Sequence, residues 1–237
     1  MKLALVTHAE HPELRETMPP IWPEYMRHDA VVSTFWPRLY EVYPDFQLWA
    51  VDRDERATVA YACTLPVHWD GEPEPRGLDW AMSNGVAGEP TTLCAVVAAV
   101  MPEYRGTGLS SALLRRMTQL AAAHGLDCLI APVRPTWKER YPLTPMASYL
   151  RWRREDGFLY DPWLRTHERL GADVLEEAPR SLNVTGSRAE WEEWTGLQFP
   201  ENGDYVVPGA LVPVRFDGGH GTYIEPNVWM RHELPSD

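Results

Sequence analysis

Cysteine is scarce in this chain of 237 residues: Cys63, Cys94 and Cys128 stand in apolar runs, with neither CxxC spacing nor a neighbouring pair of histidines. A disulfide framework, a metal site or a thiol redox centre is therefore not expected, and buried free thiols are. Positive charge is also short, since 22 Lys and Arg against 34 Asp and Glu leave a net charge of −12. That balance opposes sequence-independent attraction to nucleic acid or to an anionic membrane surface. No apolar run is long enough to span a bilayer, and the opening KLALV passes at once into Thr7, His8 and Glu10, too short for a signal-peptide core. A cytoplasmic protein with no nucleic-acid and no membrane partner is the expectation. Neither GxxxxGK[ST] nor a GxGxxG after a first strand occurs, so purine nucleotide hydrolysis and a dinucleotide fold lose their usual sequence support. Internal repeats and low-complexity linkers are missing as well.

What is present suits one sizeable core, with 44% hydrophobic and 24% charged residues, and residues 1–237 read as a single domain with decorations. The most informative stretch is VMPEYRGTGLSSALLRRM, from Val100 to Met117, which joins a buried strand to a helix through a glycine-rich turn. Arg105, Gly106, Thr107, Gly108, Leu109 and Ser110 stand where that helix begins, so their backbone N–H groups precede any intrahelical partner and can converge on an anion. The turn reads as a pyrophosphate cradle.

Residues 2 to 7 alternate as a strand does. LRETMPPIWPEYMRH and STFWPRLYEVYPDF look like two short helices broken by Pro19, Pro20, Pro23 and Pro37. QLWAVD and ATVAYACTLPVHW read as an antiparallel hairpin, closed by a further turn over 70 to 75. The continuous apolar run TTLCAVVAAVM, 91 to 101, is that of a central strand. Leu109, Leu113, Met117 and Leu120 then set a core-facing helix that stops at Gly125, and DCLIAPV supplies a second buried strand parallel to the first. Beyond it, Thr144 and Pro145 predict a helix ended by Gly157, and Asp161 and Pro162 a helix ended by Gly171. From Val174 the chain reads as strands joined by long loops, such as 216 to 222.

These residues resemble the GNAT superfamily of N-acetyltransferases, whose signature is a V-x-P strand end followed by [QR]xxGx[GA]. Here those positions are Val100, Pro102, Arg105, Gly108 and Ser110, with Ser110 in place of the usual glycine or alanine. THERLGA, 166 to 172, is similar to the family's YEKLGF helix end. The resemblance spans 91 to 172 and implies an α/β (α+β) fold: a mixed, mostly antiparallel sheet splayed after the fourth strand and flanked by helices, here with an inserted helical segment after the fifth strand. It implies acetyl-CoA or another acyl-CoA lying in the V. Arg105 to Ser110 would hold the pyrophosphate through main-chain N–H groups. Backbone groups of Ala98 and Val100 would pair with the pantetheine arm, and the acyl carbonyl would lie near the Val100 N–H.

The implied reaction is transfer of an acyl group from a pantetheine thioester to an amine of a small molecule, by direct attack in a ternary complex. At the position where relatives carry a tyrosine for the departing sulfur stands His167, on one helix face with Trp163 and Leu170. It is either a satisfied core residue or a proton carrier. Tyr141 and Tyr149 of the insert are the substitute proton donors. The strand glutamate that many relatives use as base is missing from TTLCAVVAAVM. His68, Asp79 and His220 are the weaker replacements, Glu103 reads as structural, and loss of the proton to water needs no residue.

Trp22, Tyr25, Trp36, Tyr40, Trp191, Trp194 and Trp229 mark the regions that build the acceptor pocket in relatives. The basic segment Arg134, Lys138, Arg140, Arg151, Arg153 and Arg154 is a solvated helix face or the receiver of an anionic group, either of the acceptor or of coenzyme A. An acyl carrier protein as donor, a coenzyme A sensing module without catalysis, and a decarboxylase on the same fold stand as alternatives. Whether copies of the chain assemble is left open.

Overall fold

The computed structural model describes residues 3–17, 22–54, 57–85 and 88–235. Among them nine strands join one sheet, in the order β1 (Leu3–Thr7), β2 (Gln47–Asp52), β3 (Ala57–Val67), β4 (Thr92–Val100), β5 (Cys128–Val133), β9 (His220–Glu233), β8 (Val214–Asp217) and β7 (Gly203–Tyr205), with β6 (Asp173–Ser187) on the other edge of β9. Every pairing is antiparallel except β4 with β5. The mixed, mostly antiparallel fold expected from sequence is the one observed.

The period of two along β5 explains how the sheet separates two cores. Leu129, Ala131 and Val133 face a cluster built with Leu113, Leu114 and Met117 of α3 (Leu109–Ala123) and Leu164 of α5 (Pro162–Arg169). Cys128 and Ile130 face the opposite cluster, where Leu39 and Tyr40 of α1 (Ala30–Val42) meet Trp80, Ala81 and Met82 of α2 (Gly77–Asn84). A third cluster, around Trp191 of α6 (Arg188–Thr195), Phe216 and Tyr223, is made by the C-terminal strands. The three cysteines are buried free thiols.

Several local expectations are corrected. Pro37 does not break its helix but lies inside α1, which Asp29 caps by accepting from the Val32 N–H at 2.8 Å. Pro19 and Pro20 lie outside the described residues. The helix expected from Thr144 to Gly157 shrinks to one turn, α4 (Met146–Tyr149), because the chain reverses and Tyr160 N–H bonds Trp152 C=O at 3.1 Å. The stretch 216 to 222 is not a long loop but the tight β8–β9 hairpin over Gly218 and Gly219. α2 lies in a stretch to which the sequence assigns no element, and α6 in one that reads as strands and loops.

Candidate functional site

β4 and β5 pair only at Leu93 with Leu129 and Cys94 with Ile130, and then part. Two residues beyond the last pair, β4 carries a bulge: Cys63 of β3 faces Val97 while Thr64 faces Ala95, leaving Val96 extra. A bulge bends its strand and raises the local twist, which is the physical cause of the opening between β4 and β5.

The upper half of β4 therefore has one satisfied edge and one open edge. Met101 N–H bonds Val59 C=O at 3.0 Å, so the alternation of an antiparallel ladder turns the main-chain groups of Ala99 and Val97 toward β3 and those of Ala98 and Val100 away from it. Ala98 and Val100 thus present their N–H and C=O groups to the gap that β5 has left, as an unpaired strand edge does.

Above the gap, Pro102–Tyr104 form a single 3-10 turn and Arg105 leads into Gly106 and Gly108, whose φ values are +79° and +87°. Such angles suit glycine. A Cβ at either glycine would meet no heavy atom within 4 Å, so the space before them is clear of protein. The first helical bond is Ala112 N–H to Gly108 C=O at 3.0 Å, and no side chain caps α3. The N–H groups of Leu109, Ser110 and Ser111 therefore point out of the helix end, beside the open glycine turn. Among the residues expected to bind phosphate, Arg105 differs: its backbone N–H is already bonded to Pro102 C=O at 3.2 Å, and only its exposed side chain is left to reach an anion. The Thr107 hydroxyl is engaged locally, donating to Tyr104 C=O at 2.6 Å. The remaining groups match a diphosphate: a concave, glycine-lined turn of unpaired amides at the positive end of a helix dipole.

The opposite lip of the gap is the insert after β5. Asp161, 1% exposed, is its hub. One carboxylate oxygen accepts from Thr136, Trp163 and Leu164 N–H groups, and the other from Trp137 N–H at 2.7 Å and the Tyr149 hydroxyl at 2.8 Å. Tyr149 is thus tied down, and burial followed by the Asp161 charge holds its phenol pKa above the ordinary range. Tyr141 is half-buried; its hydroxyl lies 3.2 Å from that of Tyr160, the bond that raises its pKa. Tyr141 packs against the same core cluster as Ala98, Val100 and Tyr104. Lys138 is fully buried and donates to Tyr141 C=O at 2.8 Å and Leu211 C=O at 2.7 Å, and burial lowers its pKa to about 8.

His167 is on the apolar face of α5, as its spacing requires, and the structure gives it a partner that spacing could not show. Its Nδ1 lies 2.9 Å from Nε2 of His232, and its own Nε2 is buried without a partner. Burial, then the neighbouring imidazole, push its pKa well below 6.5. His232 faces Leu129, and Leu129 faces Leu93, so the pair belongs to the closed end of the V. Ala98 stands five residues further along β4, about 17 Å at the rise of a strand. The structure therefore places His167 in the core, away from the mouth of the gap.

On the α1 and α2 face, at the mouth, a buried polar network gathers. Arg134 follows the last residue of β5; continuing the β4–β5 register brings it across the gap at about the level of Ala98. Its Nε bonds both oxygens of the buried Glu225, at 3.0 and 3.1 Å, and Nη2 donates to Gly209 C=O. Glu225 also accepts from the Tyr223 hydroxyl at 2.6 Å and from Asn227 at 3.1 Å. Trp22 lies over the guanidinium with its centroid 5.9 Å away. Asp79 is buried beside Asp29; burial and then the Asp29 charge raise its pKa to about 8, and one of its oxygens has no partner.

Of the other sequence candidates, His68, His220 and Glu103 are exposed. Most of the aromatic set is core: Trp191 bonds Gly221 C=O at 3.0 Å, Trp229 bonds Glu74 C=O at 2.7 Å, and Tyr40 stacks on Trp49 at 6.0 Å. Trp22 and Tyr25 alone of that set reach the Arg134 network. Of the basic segment, Arg134 and Lys138 are drawn inward, whereas Arg140, Arg153 and Arg154 stay in solvent.

The family model described as Acetyltransferase (GNAT) family matches residues 8–140. Arginine N-acetyltransferase avaD of Aspergillus versicolor is 29% identical over 98% of this chain and 94% of its own length. Among solved structures, the loading GNATL domain of CurA from Lyngbya majuscula superposes with a TM-score of 0.63 at 17% identity, covering 98% of each chain. The GNAT-like decarboxylase GphF, in complex with isobutyryl-CoA, does so with a TM-score of 0.61 at 14% identity, covering 99% of this chain and 100% of its own. At such identities these two likenesses concern the fold.

Proposed function

The chain belongs to the GNAT acetyltransferase family and is an acyltransferase, and on that footing we propose that it moves an acetyl group from acetyl-CoA to an amine of a cationic amino acid, arginine being the first acceptor to test. The observation that carries this reading is the open β4 edge at Ala98 and Val100 leading to the glycine turn at Gly106–Gly108, whose front is clear of protein. The choice of acceptor follows the arginine N-acetyltransferase relative, which matches along nearly the whole chain.

The thioester supplies an acyl group ready for attack by an amine, and the protein binds and orients it. N–H groups from Gly106 to Ser110 hold the diphosphate, with the Arg105 side chain at its rim. Ala98 and Val100 pair with the pantetheine amides, and a main-chain N–H of this pair polarises the acyl carbonyl. One such oxyanion donor contributes roughly 2.7 to 4 kcal/mol. The amine nitrogen forms a bond to the carbonyl carbon, the carbon–sulfur bond breaks, and the sulfur takes up a proton. Tyr141, half-buried on the opposite lip and bonded to Tyr160, is the proposed donor of that proton. β4 bears no carboxylate, so the proton of the attacking ammonium goes to solvent, and the rate climbs with pH until the acceptor amine is neutral.

Incubation with acetyl-CoA and arginine, followed by mass spectrometry and thiol titration, tests the reading. One acetylated amine per free thiol supports it. Release of carbon dioxide from a malonyl-type thioester without an acylated amine would transfer the assignment to decarboxylation.

A further inference from the structure

The Arg134 network holds two polar groups with nothing to bind. Arg134 spends Nε on Glu225 and Nη2 on Gly209 C=O. Nη1 has no protein partner among the described residues and is not among the buried orphan atoms, and the side chain is 16% accessible. The second group is the Tyr25 hydroxyl, 1% exposed and without a partner. It lies 3.7 Å from where a Cβ on Gly209 would stand, beside the residue that Arg134 holds, and Arg134 and Glu225 are the charges that act on it most. A buried hydroxyl left without a partner destabilises the fold and calls for a reason.

The position of the pair points the same way. Arg134 is balanced by Glu225, while Lys138, whose partners Tyr141 and Leu211 pack with the α3-side cluster, forms no ion pair among the described residues. Glu177, the carboxylate that acts on Lys138 from β6, is beyond ion-pair distance, and its own pKa is raised by burial. Arg134 and Glu225 stand at about the level of Ala98, on the sheet face opposite α3. A donor arm entering from the α3 end leaves this face for the acceptor.

We propose that Arg134 Nη1 and the Tyr25 hydroxyl together receive the α-carboxylate of an amino-acid acceptor, making carboxylate-bearing amines the substrate class of this enzyme. The assignment rests on the acyl-transfer reading and narrows it. Glu225 and Gly209 hold the guanidinium still, so the carboxylate meets a preorganised donor, and the orphan hydroxyl gains the partner that it lacks in the free protein.

The test compares arginine with agmatine, which differs by loss of the carboxylate. The wild-type enzyme should favour arginine in kcat/KM by at least tenfold, mainly through KM. Tyr25→Phe removes a hydroxyl that bonds nothing in the free protein, so its melting temperature should be unchanged or higher while the arginine preference falls several-fold. The paired substitution Arg134→Gln with Glu225→Gln, which leaves no lone buried charge, should bring the preference close to one. Equal use of arginine and agmatine by the wild type, or an undiminished preference in Tyr25→Phe, overturns the assignment while leaving acyl transfer intact. If neither amine is acetylated although acetyl-CoA binds, the acyl-transfer reading itself has failed.

Discussion

Gly108 and Gly125 allow the phosphate cradle to be tested against an internal control. Both have positive φ, +87° and +69°, and a Cβ at either meets nothing within 4 Å. They flank the same helix, Gly108 as N-cap of α3 and Gly125 just past its C-cap, His124. Alanine at either site pays the same left-handed backbone penalty, about 1 to 2 kcal/mol. In a chain of this length that lowers the melting temperature by roughly 2 to 8 °C. Steric clash adds nothing in either variant, because no protein atom stands in the way.

The variants should separate once coenzyme A is added. A methyl group on Gly108 stands in the space that the diphosphate must occupy, and displaces it from the N–H groups of the α3 end. Losing one charge-assisted hydrogen bond corresponds to a tenfold to hundredfold loss of affinity. At a ligand concentration about 100 times the wild-type Kd, binding stabilises the fold by about 2.7 kcal/mol, and a tenfold weaker variant keeps only about 1.4 kcal/mol of that. Thermal unfolding with and without coenzyme A should therefore give Gly125→Ala the full ligand-induced rise and Gly108→Ala about half of it or less. Equal rises in the two variants would refute the cradle, since the backbone strain is shared and only the position differs.

Asp161→Ala removes the acceptor of four backbone N–H groups and one phenol. It should cost about 3 to 5 kcal/mol in urea unfolding, the range for a broken buried network, and exchange protection at Thr136 and Trp137 should fall most. His232 is held neutral by burial, with its pKa lowered to about 4. The unfolded chain takes up that proton near pH 6.5 and the folded one does not, so stability falls as pH drops from 6.5 toward 4, by up to about 3 kcal/mol. His232→Gln should flatten that limb. Asp79 has the opposite sign: a carboxyl raised to about 8 makes stability fall as pH rises from about 4 to 8. Asp79→Asn, which keeps a donor for Asp29, should raise the melting temperature at pH 8 and leave it unchanged near pH 4.

The parts of this protein that were legible in the sequence are those whose cause is local. Gly106 and Gly108 announce themselves because only glycine takes their φ cheaply, and α3 does so through Leu109, Leu113, Met117 and Leu120. Asp161 was visible as a cap for α5, a relation of two or three residues. Its other lobe, which pins the insert through Thr136, Trp137 and Tyr149, joins segments more than ten residues apart. α6 did carry a local signal, the reciprocal Ser187 and Glu190 capping box, hidden by the alternating residues around it. α2 had none, since it starts at Gly77 behind Arg76, with no capping side chain.

The candidate site divides along the same line. Its donor half is backbone: a bulge, a free edge and a turn, each set by a short run of sequence, so the resemblance could be drawn residue by residue. Its proposed acceptor half is made of side chains that meet across 91 residues, as Arg134 and Glu225 do, and His167 likewise has a partner visible only in the fold, His232, 65 residues away. An arginine in a basic run looks like solvated charge until a distant carboxylate is seen to hold it. In the proposed reading the thioester is held by peptide groups that every sequence possesses, whereas the amine is chosen by a few side chains brought together only by the closed fold, which is why the donor half is the more legible in sequence.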